Sequence, residues 1–325
     1  MLLAFLSPWD HQFLPEVFRH YLTGEWLSPP FDLIVTPHFP GLYSFRRHVI
    51  NCRVSDAAIT IDSLEKWFPP VHSGWRAFVQ PFAAPTAPAL LGITLQVKQG
   101  EAVALLGTNG AGKTTLLRIL ATLLLPTRGA AVVAGFDSAR EPAEVRRHLG
   151  YHAGSDLGFY PRLTGSENLR FFGRLNHLTD SYLRTRIPAL AERFELASSL
   201  DRQVRALSAG TIQRLSLLRA LLHQPRVLLL DEPTRSLDAI AAAEFRRFLK
   251  LEVVARQGTS LLFASHTLPE IEFLADRVAV LNEGKLVAFD APAALKSRSG
   301  AASLEEAFYR LTGHSAHSLE EPAPS

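Results

Sequence analysis

Gly107-Thr108-Asn109-Gly110-Ala111-Gly112-Lys113-Thr114-Thr115 is the stretch whose reading decides the fold. It has the form G-x-x-x-x-G-K-[ST]. An apolar run, Ala102 to Leu106, stands before it and is short enough for a buried strand. Leu116 to Leu125 follows, long enough for a helix and stopped by Pro126. Strand, Gly-rich loop and helix in that order predict a phosphate-binding loop. Glycines let the backbone wrap close to phosphate oxygens with successive N–H groups pointing inward. The helix N-terminus adds its partial positive charge. Lys113 would neutralise the β- and γ-phosphates, and the Thr114 hydroxyl would ligate Mg²⁺. The plain alternative is a Gly-rich turn capping an ordinary helix, and the residues downstream weigh against it.

Val227-Leu228-Leu229-Leu230-Asp231-Glu232 is an apolar run ending in two carboxylates. Such a run suits the central strand of a parallel sheet, at whose carboxyl end ligands sit. There Asp231 can reach Mg²⁺ and Glu232 can polarise an attacking water; a strand ending in a solvated acidic turn is the plain alternative. Leu207-Ser208-Ala209-Gly210-Thr211 precedes a helix predicted over Ile212 to His223. Ser208 and Gly210 at a helix start make a second anion-binding N-terminus. An ordinary Ser-capped helix explains the pattern as well. Its place just upstream of the acidic strand, in a chain with a phosphate loop, weighs against that.

The chain has 325 residues, enough for one large α/β domain or two smaller ones. The formal charge of +3 gives no case for a nucleic-acid partner. The single Cys52 excludes an internal disulfide and fits a reducing compartment. No apolar run approaches the roughly 20 residues of a membrane-spanning helix, and Met1 to Leu6 is too short for a signal peptide. The reading is a cytoplasmic protein; if it acts at a membrane, another chain must span it. Residues 1–55 are rich in proline and aromatics with weak periodicity. They read as a poorly ordered extension, or a start assigned too far upstream, or an arm that docks on a partner. Ala58 to Ile61 and Leu91 to Val97 alternate as strands do, and Ala130 to Gly135 is another short strand. Thr164-Gly165-Ser166-Glu167 is a capping box opening a helix. Leu183 to Phe194 is a second helical region that Pro188 is expected to kink or split. His314 to Ser325 reads as a disordered tail.

In this order the motifs resemble the nucleotide-binding subunit of ABC transporters, over roughly Ala57 to Gly313. Gly107 to Thr114 matches the Walker A motif, Leu207 to Thr211 resembles the signature motif, and Val227 to Asp231 matches Walker B with Glu232 as catalytic glutamate. Ser236-Leu237-Asp238 resembles the D-loop and His266 the switch histidine, while Phe68 stands where the family stacks an aromatic on adenine, with Trp67 as the weaker candidate. The resemblance implies an α/β P-loop NTPase core with a mixed sheet, an N-terminal antiparallel β-subdomain and an inserted helical subdomain at about residues 155–222, the whole ATPase domain spanning 56–313. It implies ATP and Mg²⁺ as ligands and a head-to-tail dimer with a second copy or a related ATPase subunit. Ser208 and Gly210 would bind the γ-phosphate across the interface. Glu232 would activate water, His266 would hold and sense the γ-phosphate, and Asp238 would link the two sites.

Two departures stand out. The signature carries Ala209 and Thr211 where the family usually has Gly and Gln. The Q-loop segment, His152 to Tyr160, has no Gln; Gly154, Ser155 or Asp156 falls near its place. Tyr160-Pro161-Arg162-Leu163-Thr164, Glu167-Asn168-Leu169 and Leu304 to Gly313 look like exporters of the ABC-2 type. That implies an ATPase subunit on the inner face of the cell membrane, held there by an integral-membrane permease. A soluble ABC-type ATPase working on ribosomes or DNA is the second reading, and a different P-loop enzyme, such as a small-molecule kinase, the third.

Overall fold

The computed structural model describes residues 57–68, 87–154, 158–235 and 237–313. The expectations for residues 1–55, for the tail from His314, and for Ser155, Asp156 and Ser236 lie outside the described residues.

Among these residues the strands form two sheets. In the first, β1 (Ala57–Phe68) pairs antiparallel with β2 (Ala87–Lys98) and with β4 (Arg128–Val133), which pairs in turn with β5 (Phe136–Asp137). The second has six strands in the order β10-β9-β3-β8-β7-β6. They are β3 (Ala102–Gly107), β6 (Leu149–His152), β7 (Val227–Asp231), β8 (Ser260–Ala264), β9 (Arg277–Asn282) and β10 (Lys285–Asp290). All neighbours there run parallel except β9 with β10.

The six-stranded sheet is buried on both faces, which is why its strands read as continuous apolar runs. Side chains alternate across a strand, and the core divides accordingly. Leu228, Leu230, Leu261 and Phe263 join one cluster; Val227, Leu229, Leu262 and Ala264 join the other. The first cluster is completed by helices α3 (Gly165–Leu175), α4 (Asp180–Arg193), α5 (Ala209–Leu221) and α6 (Ala239–Phe248). The second is completed by α1 (Lys113–Leu120) and the antiparallel sheet. Burying one Leu or Phe side chain is worth about 1.5–3 kcal/mol. A charge placed at Leu229 would therefore break both the strand and its cover.

Sequence and structure differ at three element boundaries. The apolar run after Lys113 does not stay helical to Leu125. Helix α1 ends at Leu120, because Thr122 takes a left-handed backbone, φ 61, and Leu123 N–H donates back to Arg118 O at 2.9 Å. That is a Schellman stop built on Thr instead of Gly. Pro188 does not split its segment: α4 runs unbroken from Asp180 to Arg193, capped by Thr179, with Leu183, Ile187, Leu190 and Ala191 buried. The proline forfeits one backbone bond, and the apolar stripe on both sides of it holds the helix together. Residues Pro142–His148, which gave no helical signal, form α2 ahead of β6. The capping box is as expected, with Glu167 N–H donating to the Thr164 hydroxyl and Thr164 N–H to the Glu167 carboxylate.

Candidate functional site

Strands β3, β8, β7 and β6 are neighbours and run the same way, so their carboxyl ends share one edge. Four loops leave that edge: Gly107–Lys113 after β3, the His266 loop after β8, Asp231-Glu232 at the end of β7, and Gly154 beyond β6. They enclose a cavity of about 690 Å³ lined by Gly107, Thr108, Asn109, Gly110, Gly112, Lys113, Thr114, Thr115, Gly154, Asp231, Glu232, Arg235 and His266. Ligands bind at this edge in open parallel sheets.

The loop is shaped by its last glycine. Gly112 has φ 100 and caps α1 with no side-chain bond, so the first N–H groups of the helix stay open to the cavity. A Cβ there would fall 2.6 Å from Ala89 O, so no other residue fits. Lys113 is buried, its Nζ donating to Gly107 O at 2.8 Å and Thr108 O at 3.0 Å. Burial lowers its pKa, and the Glu232 and Asp231 carboxylates pull it back up. A cation held against its own loop is poised to exchange those carbonyls for phosphate oxygens.

Thr114 Oγ1 donates to Asp231 Oδ2 at 2.9 Å, which brings the two expected metal ligands together. Among the described residues no cluster of three or more His, Cys, Asp or Glu could hold a metal by itself. One hydroxyl and one carboxylate facing a phosphate-sized cavity fit Mg²⁺, which keeps several waters and shares substrate phosphates.

Glu232 follows with a left-handed backbone, φ 51, so its side chain turns out of the strand direction and lines the cavity. His266 Nδ1 lies 2.6 Å from Glu232 Oε2. A carboxylate only accepts, so Nδ1 carries the hydrogen. At Gly154, one of the three positions near the expected Gln, a Cβ would lie 2.7 Å from Asp231 O.

Several expected site residues are not part of the lining. Ser208 is the N-cap of α5, its Oγ accepting from Thr211 N–H at 3.2 Å, and Gly210 is in that helix's first turn. Asp238 caps α6, accepting from Ile240 N–H at 3.0 Å and Ala241 N–H at 2.9 Å. The Ala241 bond leads in holding its pKa low. Phe68 ends β1, 37% exposed, with the Lys66 ammonium 5.1 Å from its ring centroid. Ala111 is in the loop but buried in the core, packing under it instead of lining the cavity. Two cavity-side features were not read from the sequence. Arg235 lines the cavity. Gln213, buried on α5, donates to Pro233 O at 2.8 Å and so ties that helix to the acidic turn; an exposed-looking polar residue in a helix gave no cue.

A phosphate loop, an acidic strand end and a histidine at one sheet edge define a P-loop nucleotide-binding protein. The ABC transporter family model matches residues 90–235. The ABC transporter ATP-binding protein NatA of Bacillus subtilis (strain 168) is 39% identical over 199 residues, 61% of this chain and 80% of that protein. The daunorubicin resistance ATP-binding protein DrrA3 of Streptomyces coeruleorubidus is 38% identical over 250 residues, 76% of this chain and 72% of that protein. A solved ATP-binding subunit of an ABC transporter shares 26% identity at a TM-score of 0.66, covering 78% of this chain and 99% of that one. The chain belongs to the ATP-binding subunits of ABC transporters, and is an ATPase of the α/β P-loop class.

Proposed function

We propose that this chain binds and hydrolyses ATP as a head-to-tail homodimer, and that hydrolysis powers export through a separate membrane-spanning permease. One observation carries the dimer. The cavity gathers Lys113, Thr114, Asp231, Glu232 and His266, but Ser208 and Gly210, at the other anion-binding helix start, do not line it. A second chain would bring its own Ser208 and Gly210 to close the open side. The export reading is supported by the daunorubicin-resistance relative and by the ABC-2-like segments around Tyr160 and Leu304. Among the described residues no helix is long and apolar enough to cross a membrane, so on this reading the permease is another chain and this one sits on its inner face.

In this mechanism the N–H groups of the loop and Lys113 hold the β- and γ-phosphates. Thr114 and Asp231 would hold Mg²⁺, which would supply positive charge against the charge that develops on the phosphates. Glu232 accepts a proton from a water aligned on the γ-phosphorus; the new O–P bond forms as the bond to ADP breaks. His266 fixes the Glu232 carboxylate through Nδ1. Asp238, at the start of α6, would connect this site with its twin, and Phe68 would stack on adenine at the mouth. Loss of the γ-phosphate removes the contacts that bridge the two chains, and the dimer opens.

The test is Glu232→Gln. It keeps the shape but removes the base, so turnover should fall on the order of 10³-fold with ATP affinity retained, and light scattering should show an ATP-dependent dimer. Wild-type turnover in the variant, or a single chain at saturating ATP and Mg²⁺, would sink the proposal. Capture of the tagged chain from solubilised membranes should bring a polytopic protein in near-equal amount; ribosomes or DNA instead would overturn the export reading.

A further inference from the structure

Behind His266 lies a carboxyl group that the mechanism above does not use. Glu270 is in the first turn of α7 (Leu268–Leu274) and is fully buried. Its Oε2 accepts from the Ser265 hydroxyl at 2.5 Å, and its Oε1 has no partner among the described residues. Ser265 is itself fully buried, and its Oγ accepts from Thr267 N–H at 3.0 Å. Glu270 N–H also donates to Thr267 O at 3.0 Å. The Ser265 hydroxyl thus links the Glu270 carboxylate to the backbone on the far side of His266, while the imidazole itself projects outward, 64% exposed. Burial pushes the Glu270 carboxyl up, with the Ser265 and Thr234 hydroxyls and Arg246 pulling against it and the Glu232 charge adding to the rise. An unpaired buried carboxyl is costly, and packing alone would be served by an apolar residue of the same size. Its carboxylate takes the hydroxyl of the residue just before the histidine, with the Thr234 hydroxyl also acting on it.

We propose that Glu270 is a positioning residue for the ATPase reaction: through Ser265 it clamps both sides of His266 and so sets the 2.6 Å approach of the imidazole to Glu232. The clamp acts on the chemical step and not on ATP capture, since neither Glu270 nor Ser265 lines the phosphate cavity. A small misplacement of a catalytic group costs rate far more than binding. The inference rests on the hydrolytic reading of Glu232 and His266, so its experiment includes a readout independent of turnover.

Glu270→Ala, Glu270→Gln and Ser265→Ala are compared with wild type in ATPase assays and by NMR titration of the His266 imidazole, assigned with His266→Gln. Glu270→Ala and Ser265→Ala should lower kcat on the order of tenfold, leave KM for ATP within about twofold, and shift the His266 titration. Glu270→Gln keeps an oxygen for Ser265 to donate to and should restore most of the rate. If Glu270→Ala fails to fold, Ser265→Ala, which removes only one oxygen, carries the test. An unchanged His266 titration in Ser265→Ala, or a kcat loss that Glu270→Gln fails to restore, overturns the clamp. If wild type hydrolyses no ATP the functional reading fails, yet the titration still decides whether Glu270 places the histidine.

Discussion

Two helices in this molecule start in ways that look alike in sequence and differ in chemistry. At α1 the cap is Gly112, which offers no side chain, so the amides at its start are open and Lys113 lies among them. At α5 the cap is Ser208, which accepts from Thr211 N–H and shares a hydrogen bond with the Thr211 hydroxyl at 2.8 Å. On the proposed function the first end is a phosphate site in its own right. The second satisfies itself and has no cation beside it in its first turn. A helix start is thus an anion site only where its amides are left open or can be freed; on the proposed dimer, the α5 end meets its ligand on another chain.

That contrast can be broken most directly at α1. Lys113→Ala removes the cation in the first turn at the open end, and the ATP dissociation constant should rise on the order of 100-fold. Calorimetry showing unchanged affinity would mean the open amides suffice and the contrast is drawn in the wrong place.

A smaller effect bears on α5. His152, fully buried at the end of β6, has Nδ1 3.0 Å from the Ser216 hydroxyl on that helix. Burial, reinforced by the Arg219 charge, pushes its pKa down to about 3. The folded pKa lies below the unfolded one, so its contribution is whole above about pH 6.5 and is lost as pH falls toward about 3. Between pH 7 and 5 this amounts to about 2 kcal/mol. Denaturation curves of His152→Asn should show that much less acid sensitivity than wild type; equal sensitivity would remove His152 as the cause.

The smallest expected change sharpens the comparison. Ser208→Ala should cost about 1 kcal/mol of stability through the lost cap. It should leave ATP binding by single chains unchanged and slow turnover of the dimer several-fold. A fall in single-chain affinity equal to that of Lys113→Ala would show the two helix starts acting on the same phosphate within one chain.

The site was legible where backbone geometry forces residue type. Gly112 cannot be anything else beside Ala89 O, and the β7 run must be apolar because both of its faces are covered. Lys113, Thr114, Asp231 and Glu232, expected from the loop pattern and the acidic strand end, and His266, implied by the family resemblance, all line one cavity. The rest depends on tertiary contacts with no local signature. Leu123 and Leu125 are exposed although the run containing them is apolar, because a left-handed Thr122 ends α1 before them. Glu270 and Glu272 stand two apart in one short stretch, yet one is fully buried and the other is paired with Lys296 at the surface. At Pro188 the helix is not split, because a buried apolar stripe on both sides of the proline outweighs local propensity.

The left-handed backbone of Glu232 has a consequence for how this protein can vary. A non-glycine residue at φ 51 carries roughly 1 kcal/mol or more of strain. Glycine would relieve it, so Glu232→Gly should melt higher than wild type while losing its chemistry. Stability and turnover therefore pull in opposite directions at this position. A chain drifting free of selection for hydrolysis would gain robustness by giving up its base, and a search for thermostable variants that ignored activity would find that loss first.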